Sequence, residues 1–358
     1  VRRRTLLCAL GALGAALGAP ALGAARKVEF PDVVRDQPLA FPRDHGAHPA
    51  FRIEWWYITG WLGPQSLGFQ ITFFRARNAY ATDNPSRFTP RQILFAHAAL
   101  ADPRHGRLRH DQRAARAGLT LAGAETDRTR VWIDDWRLEQ TERGYAGVIP
   151  AREFEFRFKF TSERAPLLQG DAGFSRKGPR PHEASYYYSQ PQLTVSGTLG
   201  RGRKATAVSG RAWLDHEWSS AYLPQEASGW DWIGINLDDG GALMAFVMRA
   251  KDGGVHYAGG TLISKDGARR SFDPEEVRFE PLRRWRSPRT GVEYPVAMRV
   301  VTGGEAWTLE PLMDDQELDS RPSTGTIYWE GAVRVSRDGR EVGRGYLELT
   351  GYWKPMEL

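Results

Sequence analysis

The residues with chemistry to offer are concentrated between Gly210 and Leu237. They form two aromatic and acidic clusters, Trp213-Leu214-Asp215-His216-Glu217-Trp218 and Trp230-Asp231-Trp232, separated by a connector that contains Pro224 and Gly229. Read as a strand, the second cluster puts Asp231 on one face with Ile233, Ile235 and Leu237, and Trp230 and Trp232 on the other. A carboxyl on an aliphatic face keeps its proton towards neutral pH, because burial disfavours the charged form. Asp231 is therefore the candidate acid. His216, flanked by Asp215 and Glu217, is a candidate general base towards water. Faces of Trp or Tyr rings can stabilise positive charge that develops on a substrate. Around this centre Asp215, Glu217, Tyr187, Tyr188, Tyr222, Trp230 and Trp232 are the candidate ligand-binding residues. The competing reading is an interdomain polar network, with Asp231 accepting bonds from backbone and indole N–H groups.

Other constellations carry less. His45 and His48 have His-x-x-His spacing, but a metal site needs further ligands in a fixed geometry and none stands nearby in the sequence, so no metal and no cofactor is expected. There is no Gly-x-Ser-x-Gly, and Gly173-Phe-Ser-Arg-Lys-Gly178 has the wrong spacing for a nucleophile elbow. That stretch reads as a loop in which Arg176 and Lys177 either face an anionic head group or are simply solvated. His97, His105, His110, His182 and His256 are scattered.

The elements that must position these groups are strands. Ile53, Trp55, Tyr57, Thr59 and Trp61 alternate with Glu54, Trp56, Ile58, Gly60 and Leu62, and Glu153 to Phe160 alternates four Phe with four charges. A period of two means half-buried antiparallel strands. Asp238-Asp239-Gly240-Gly241, Lys265-Asp266-Gly267 and Arg337-Asp338-Gly339 are hairpin signals. The fold class is all-β. Four segments recur in order: Trp55–Leu62 with Trp230–Leu237, Leu67–Arg75 with Ala242–Arg249, Leu100–Gly106 with Leu262–Gly267, and Tyr188–Val195 with Tyr328–Val335. Two copies of one β-unit follow, each expected to close into an up-and-down barrel, and eight-stranded barrels of that kind have room for one small ligand. The expected layout is a signal peptide over 1–25, a lead-in over 26–50, and barrels over 51–222 and 223–358.

Composition sets the class of partner. The chain has 358 residues, enough for two domains with ample cores. Its start, Val1-Arg2-Arg3-Arg4-Thr5-Leu6-Leu7 with an Ala/Leu/Gly run and small residues at Ala21, Gly23, Ala24 and Ala25, reads as a secretory signal peptide, and its arginines resemble a twin-arginine export signal. Periplasmic or secreted localisation is the expectation. Three of the 49 basic residues lie in that signal and no basic, aromatic-interleaved block follows, so nucleic acid is not expected as a partner. The single cysteine, Cys8, lies in the signal too, which leaves no disulfide and no thiolate nucleophile beyond it.

Five motifs in order, Asp44 to Gly60, Gly173 to Gly178, Ala184-Ser-Tyr-Tyr-Tyr-Ser189, Asp215-His-Glu-Trp-Ser219 and Glu348-Leu-Thr-Gly-Tyr352, resemble the carotenoid 1,2-hydratase/AttH-like family across nearly the whole mature chain. The resemblance implies two tandem lipocalin-like antiparallel barrels packed together. It also implies an apolar ligand, isoprenoid or lipid-like. In the hydratases of the family the functional residues are a His-x-Trp pair, falling here on His216 and Trp218, and a Tyr-x-Asp, whose Asp falls on Asp231 and whose Tyr falls on Gly229. Another tyrosine would then have to supply the hydroxyl, with Tyr186, Tyr187, Tyr188 and Tyr222 as candidates. Two functions follow as expectations. One is a cofactor-independent hydro-lyase that adds water to a carbon–carbon double bond. The other is a non-catalytic periplasmic lipid carrier, associated with a membrane surface or accessory to a lipid-related transporter.

Overall fold

The computed structural model describes residues 28–63, 66–78, 89 and 91–356, so the signal peptide expected over 1–25 lies outside the described residues. Among them the only helical elements are three short 3₁₀ turns, Arg43–His45, Pro103–His105 and Pro274–Glu276; everything else regular is antiparallel strand. The first sheet runs in the order Arg109–Arg116, Gln92–Ala101, Leu67–Arg77, Ile53–Gly63, Lys204–Ser219, Ala184–Arg201, Glu155–Thr161, Gly144–Pro150, Trp136–Thr141, Arg130–Ile133 and Ala122–Ala124. The second runs Arg269–Phe272, Val255–Ile263, Ala242–Ala250, Ala227–Leu237, Arg340–Leu349, Ile327–Arg337, Glu305–Pro311, Glu293–Thr302 and Val277–Arg286.

The two orders superpose strand for strand over the second sheet's whole length. In each, the opening strand lies between the next strand in sequence and the last. All four segment pairs that recur in the sequence fall on equivalent strands or strand ends. The chain changes sheets between Ser219 and Ala227.

Both sheets curl until their ends meet. In the first, the Arg113 guanidinium on one edge strand donates to the carbonyl of Ile133, on the next-to-last strand at the other end, 3.2 Å away. In the second, the Pro274–Glu276 turn links the two edge strands directly.

Alternation then fills each barrel. Phe154, Phe156, Phe158 and Phe160 all point into the first core, beside Trp56, Phe69 and Trp218. Ile233, Ile235, Trp307, Trp329 and Leu347 occupy the second. A third apolar cluster, with Tyr57, Trp61, Tyr187, Trp213, Trp232 and Phe246, lies on the outward faces where the barrels abut. Among the described residues, side chains of the first two clusters fill the barrel cores, where the strand count led to the expectation of room for one small ligand.

Turn chemistry agrees with the hairpin signals. Asp338 and Gly339 have φ of 51° and 75°, both positive, as a two-residue type I′ turn requires. Gly229 has a different reason. A Cβ there would lie 2.5 Å from the Thr350 carbonyl oxygen and 2.9 Å from Gly351 Cα, so the chain packs backbone against backbone at the position where the resemblance implied a tyrosine. Gly229→Tyr should destabilise the protein by about 2 kcal/mol or more through overpacking. Denaturant unfolding checks this, and an unchanged midpoint would contradict the packing described.

Candidate functional site between the barrels

Strand alternation sends half of each central strand outward, and where the two barrels meet those outward residues enclose a cavity of about 410 Å³. That volume suits a small molecule. The first barrel contributes Ile53, Trp55 and Tyr57, then Gln70 and Phe74, then Phe95 and His97. The second contributes Trp230 and Trp232, Tyr328 and Glu348. Tyr222 of the connector, residues 323–326 and the C-terminal residues 354–356 complete the wall. Trp55 meets Tyr222 edge-on at 4.7 Å, and Tyr222 meets Trp230 edge-on at 5.3 Å, forming one continuous aromatic surface.

Into this apolar wall the strands place carboxyls. Asp215 accepts from Tyr187 Oη at 2.8 Å, Ser189 Oγ at 2.5 Å and Trp213 Nε1 at 2.7 Å. Burial nonetheless pushes its pKa up to about 7 against those three donors. Glu217 pairs with Lys177 at 2.9 Å and accepts from Ser185. Burial raises the Glu217 carboxyl and lowers the Lys177 ammonium, so the pair is drawn towards its neutral form. Lys177 Nζ also lies 4.3 Å from the centre of the Phe246 ring and 4.9 Å from that of Tyr187. It is turned inward and buried rather than solvated.

Glu348 is the least satisfied of the carboxyls on the wall. Its one side-chain donor is Trp230 Nε1 at 3.0 Å, and burial pushes its pKa up to about 7. Directly across the strand pair stands Glu330, fully buried, which accepts from Tyr57 Oη at 2.5 Å. The second Glu330 oxygen has no partner among the described residues, and burial and the adjacent Glu348 hold its carboxyl protonated, well above the usual range. His97 bonds Tyr328 Oη at 2.8 Å and Ser323 Oγ at 2.9 Å, and burial lowers its pKa to about 3, leaving a neutral imidazole. The cavity therefore offers an acid poised near neutrality, aromatic faces and a neutral imidazole.

The residues singled out in the sequence divide into three places. Asp215, Glu217, Tyr222, Trp230 and Trp232 line the cavity, and Tyr187 stands behind it, bonded to both Asp215 and Trp232. His216, Trp218 and Tyr188 point the other way, into the first barrel. There His216 bonds Glu54 at 2.9 Å and Tyr188 Oη at 3.1 Å, with its pKa lowered by burial to about 4. Asp231 belongs to the second barrel: it pairs with Arg249 at 3.0 Å and accepts from Tyr352 Oη at 3.1 Å. Asp231 and His216 are thus not brought into one site, because they occupy the interiors of different barrels. The hydroxyl that reaches Asp231 comes from Tyr352, not from Tyr186, Tyr187, Tyr188 or Tyr222.

Sequence reasoning gave Glu348, Glu330, Tyr57 and His97 no role in the site, and read Lys177 as a loop cation over a head group or in solvent. A usable signal existed for two of them. Glu348 lies between Leu347 and Leu349, and Glu330 follows Tyr328-Trp329, so each is a lone carboxylate inside an apolar strand. Such a residue is either a strand-edge charge or a buried functional group, and only the fold separates the two.

A family model described as AttH-like matches residues 32–352. The solved structure of a protein from Nitrosomonas europaea assigned as an AttH has 52% sequence identity and a TM-score of 0.85, covering 90% of this chain and 100% of its own. Kievitone hydratase from Nectria haematococca shares the fold at 13% identity and a TM-score of 0.67, over 92% of this chain and 98% of its own. CghA, solved with Sch210972, has 15% identity and a TM-score of 0.50, covering 84% and 88% respectively. No curated protein matches the chain.

The Glu348 pKa has a stability consequence. Its value is about 7 in the folded chain against 4.5 for the ordinary carboxyl, so the folded state binds the extra proton. Stability should fall as pH rises from 4.5 to 7, by on the order of 3 kcal/mol from this group, and stay level above. Glu348→Gln should flatten that part of the profile. Urea unfolding of both proteins at pH 5 and pH 8 checks it, and parallel losses would contradict the assignment.

Proposed function

The chain belongs to the AttH-like family, and on that footing we propose that its interbarrel cavity binds a hydrophobic, isoprenoid- or lipid-like molecule and adds water across a carbon–carbon double bond in it. The observation that carries this reading is Glu348, a partly buried carboxyl with a pKa of about 7 on the wall of an aromatic-lined cavity. Protonating an alkene carbon needs an acid that is still loaded near neutral pH. Glu348 would deliver its proton to one carbon as the π pair forms the new C–H bond. Positive charge then develops on the neighbouring carbon, where the faces of Trp55, Trp230 and Trp232 can stabilise it. Water adds to that carbon, and the Glu348 carboxylate takes the proton the water loses, which restores the acid. Asp231, held by Arg249 and Tyr352 in the second barrel, and His216 and Trp218 in the first, support the strands that carry the cavity in this scheme. The fold of a hydratase from Nectria haematococca is consistent with it, as likeness of fold alone.

The second reading, a non-catalytic carrier, draws on the engagement of both ring nitrogens of His97, which leaves that imidazole without a free acceptor for water. Export by the segment over 1–25 would bring either activity to the periplasmic face of a membrane. Incubating the protein in D₂O with acyclic isoprenoid alkenes separates the readings. The hydratase reading expects one carbon-bound deuterium per product, falling at least about 100-fold in Glu348→Gln while binding persists. Binding without deuterium incorporation in the unaltered protein would leave the carrier.

A further inference from the structure

A second constellation lies inside the first barrel, at the end that the lead-in covers. Three separate segments meet there: His48 from the lead-in, Glu54 from the strand Ile53–Gly63 and His216 from the strand Lys204–Ser219. His48 Nδ1 is 2.8 Å and His216 Nε2 is 2.9 Å from the same oxygen, Glu54 Oε1, and all three ligand atoms lie within 4.8 Å of one another. We propose that His48, Glu54 and His216 form a binding site for one divalent transition-metal ion of the zinc type.

Four observations carry this. Two imidazole nitrogens and one carboxylate are the donor set of open zinc and related transition-metal sites. For an ion roughly 2.0–2.2 Å from each donor, the observed 2.8 and 2.9 Å separations from Glu54 correspond to nearly perpendicular bonds, and a tetrahedral site would have each imidazole move back by about half an ångström. Each donor is also fixed from behind, as bound ligands are. His216 Nδ1 meets Tyr188 Oη at 3.1 Å, His48 Nε2 faces Asp44 Oδ1 at 3.4 Å, and Glu54 Oε2 accepts from Arg75 Nε at 2.7 Å. Finally, Trp56 stacks on His216 at 4.8 Å, and its indole N–H is a buried donor with no partner among the described residues. A water or anion held by the ion would supply an acceptor in that region.

Glu54 and His216 are fully buried and His48 is partly exposed, so the ion would enter past His48. The other carboxylate and histidine grouping, Glu183, Glu226 and His256, is not comparable, because the Arg180 guanidinium already occupies both carboxylates. The proposal does not rest on the hydratase reading: Glu54 and Arg75 border both the cavity and this site, but the two imidazoles are not among the residues that line the cavity, and Glu348 takes no part here.

The His-x-x-His spacing noted in the sequence thus contributes one ligand and not two. His45 turns aside to Tyr188 Oη at 3.0 Å, and the remaining ligands come from 6 and 168 residues further along the chain than His48.

The test uses the whole chain, stripped with a chelator and titrated with Co²⁺ and then Zn²⁺. One equivalent of Co²⁺ should produce a visible ligand-field spectrum with micromolar affinity or tighter. Zn²⁺ should displace it, and thermal unfolding should shift upward by several degrees. His48→Gln should abolish the spectrum while leaving the metal-free melting temperature close to that of the unaltered protein, and Glu183→Gln should leave cobalt binding intact. A flat titration, or a cobalt spectrum unchanged in His48→Gln, would overturn the proposal. X-ray absorption on the unaltered zinc-loaded protein gives a readout that needs no variant: two imidazoles and light oxygen donors are expected, and a shell without imidazole would equally overturn it.

Discussion

Side chains on a β-strand alternate across its two faces, and in this chain both faces of the central strands are buried. One faces a barrel core and the other faces the second barrel. That constraint assigns the chemistry. Along Trp213 to Trp218, Trp213, Asp215 and Glu217 must go to the interface, while Leu214, His216 and Trp218 must go to the first core. Along Trp230 to Leu237 the same rule sends Trp230 and Trp232 to the interface and Asp231 into the second barrel. Residues adjacent in sequence therefore serve different sites. A compact cluster of letters is not a compact cluster of groups.

The interface could have been a plain apolar seam. Instead it carries the buried Asp215, Glu217 and Glu330 and the partly buried Glu348, with the buried Lys177 and a ring of tyrosines and tryptophans. Buried carboxyls are expensive unless they are paired, well bonded or protonated. Asp215 is bonded three times over and Glu217 has Lys177, but Glu348 and Glu330 lie opposite each other with few donors. Holding a proton is how that pair can stay in place, and a held proton beside an apolar cavity is a chemical capacity. The same economy governs the first barrel, where Glu54 is buried without exposure and takes its stabilisation from Arg75, His48 and His216.

Much of the fold was legible in the sequence, because period-two alternation and turn residues are local signals. The Phe ladder over 154–160 and the Asp338-Gly339 turn do in space what their spacing implies. The internal repeat was legible as well, since four weak matches keep their order and equivalent strands share an environment. The site was half legible. Trp230, Trp232, Asp215, Glu217 and Tyr222 do line one cavity, but the partner strand that completes it, carrying Glu348, lies more than a hundred residues away. Tyr352 on Asp231 and Glu54 on His216 are likewise pairings between distant strands. Strand register sets them, and no spacing in one sequence reports register between strands so far apart. Gly229 shows the converse. It looks like a missing tyrosine in the sequence, and in space it is the residue that lets the backbone at 350–351 pass.

The account centres on the space between the barrels, not the barrel interiors, as the ligand site. The direct measurement is mass spectrometry of organic extracts from two proteins purified in parallel from the native host: the unaltered chain and Ala76→Trp, whose new ring would fill the cavity that Ala76 borders. The account predicts an enriched apolar molecule in the first extract and its loss from the second, with both proteins equally folded. The same molecule retained in full by Ala76→Trp would place the ligand elsewhere and contradict the account.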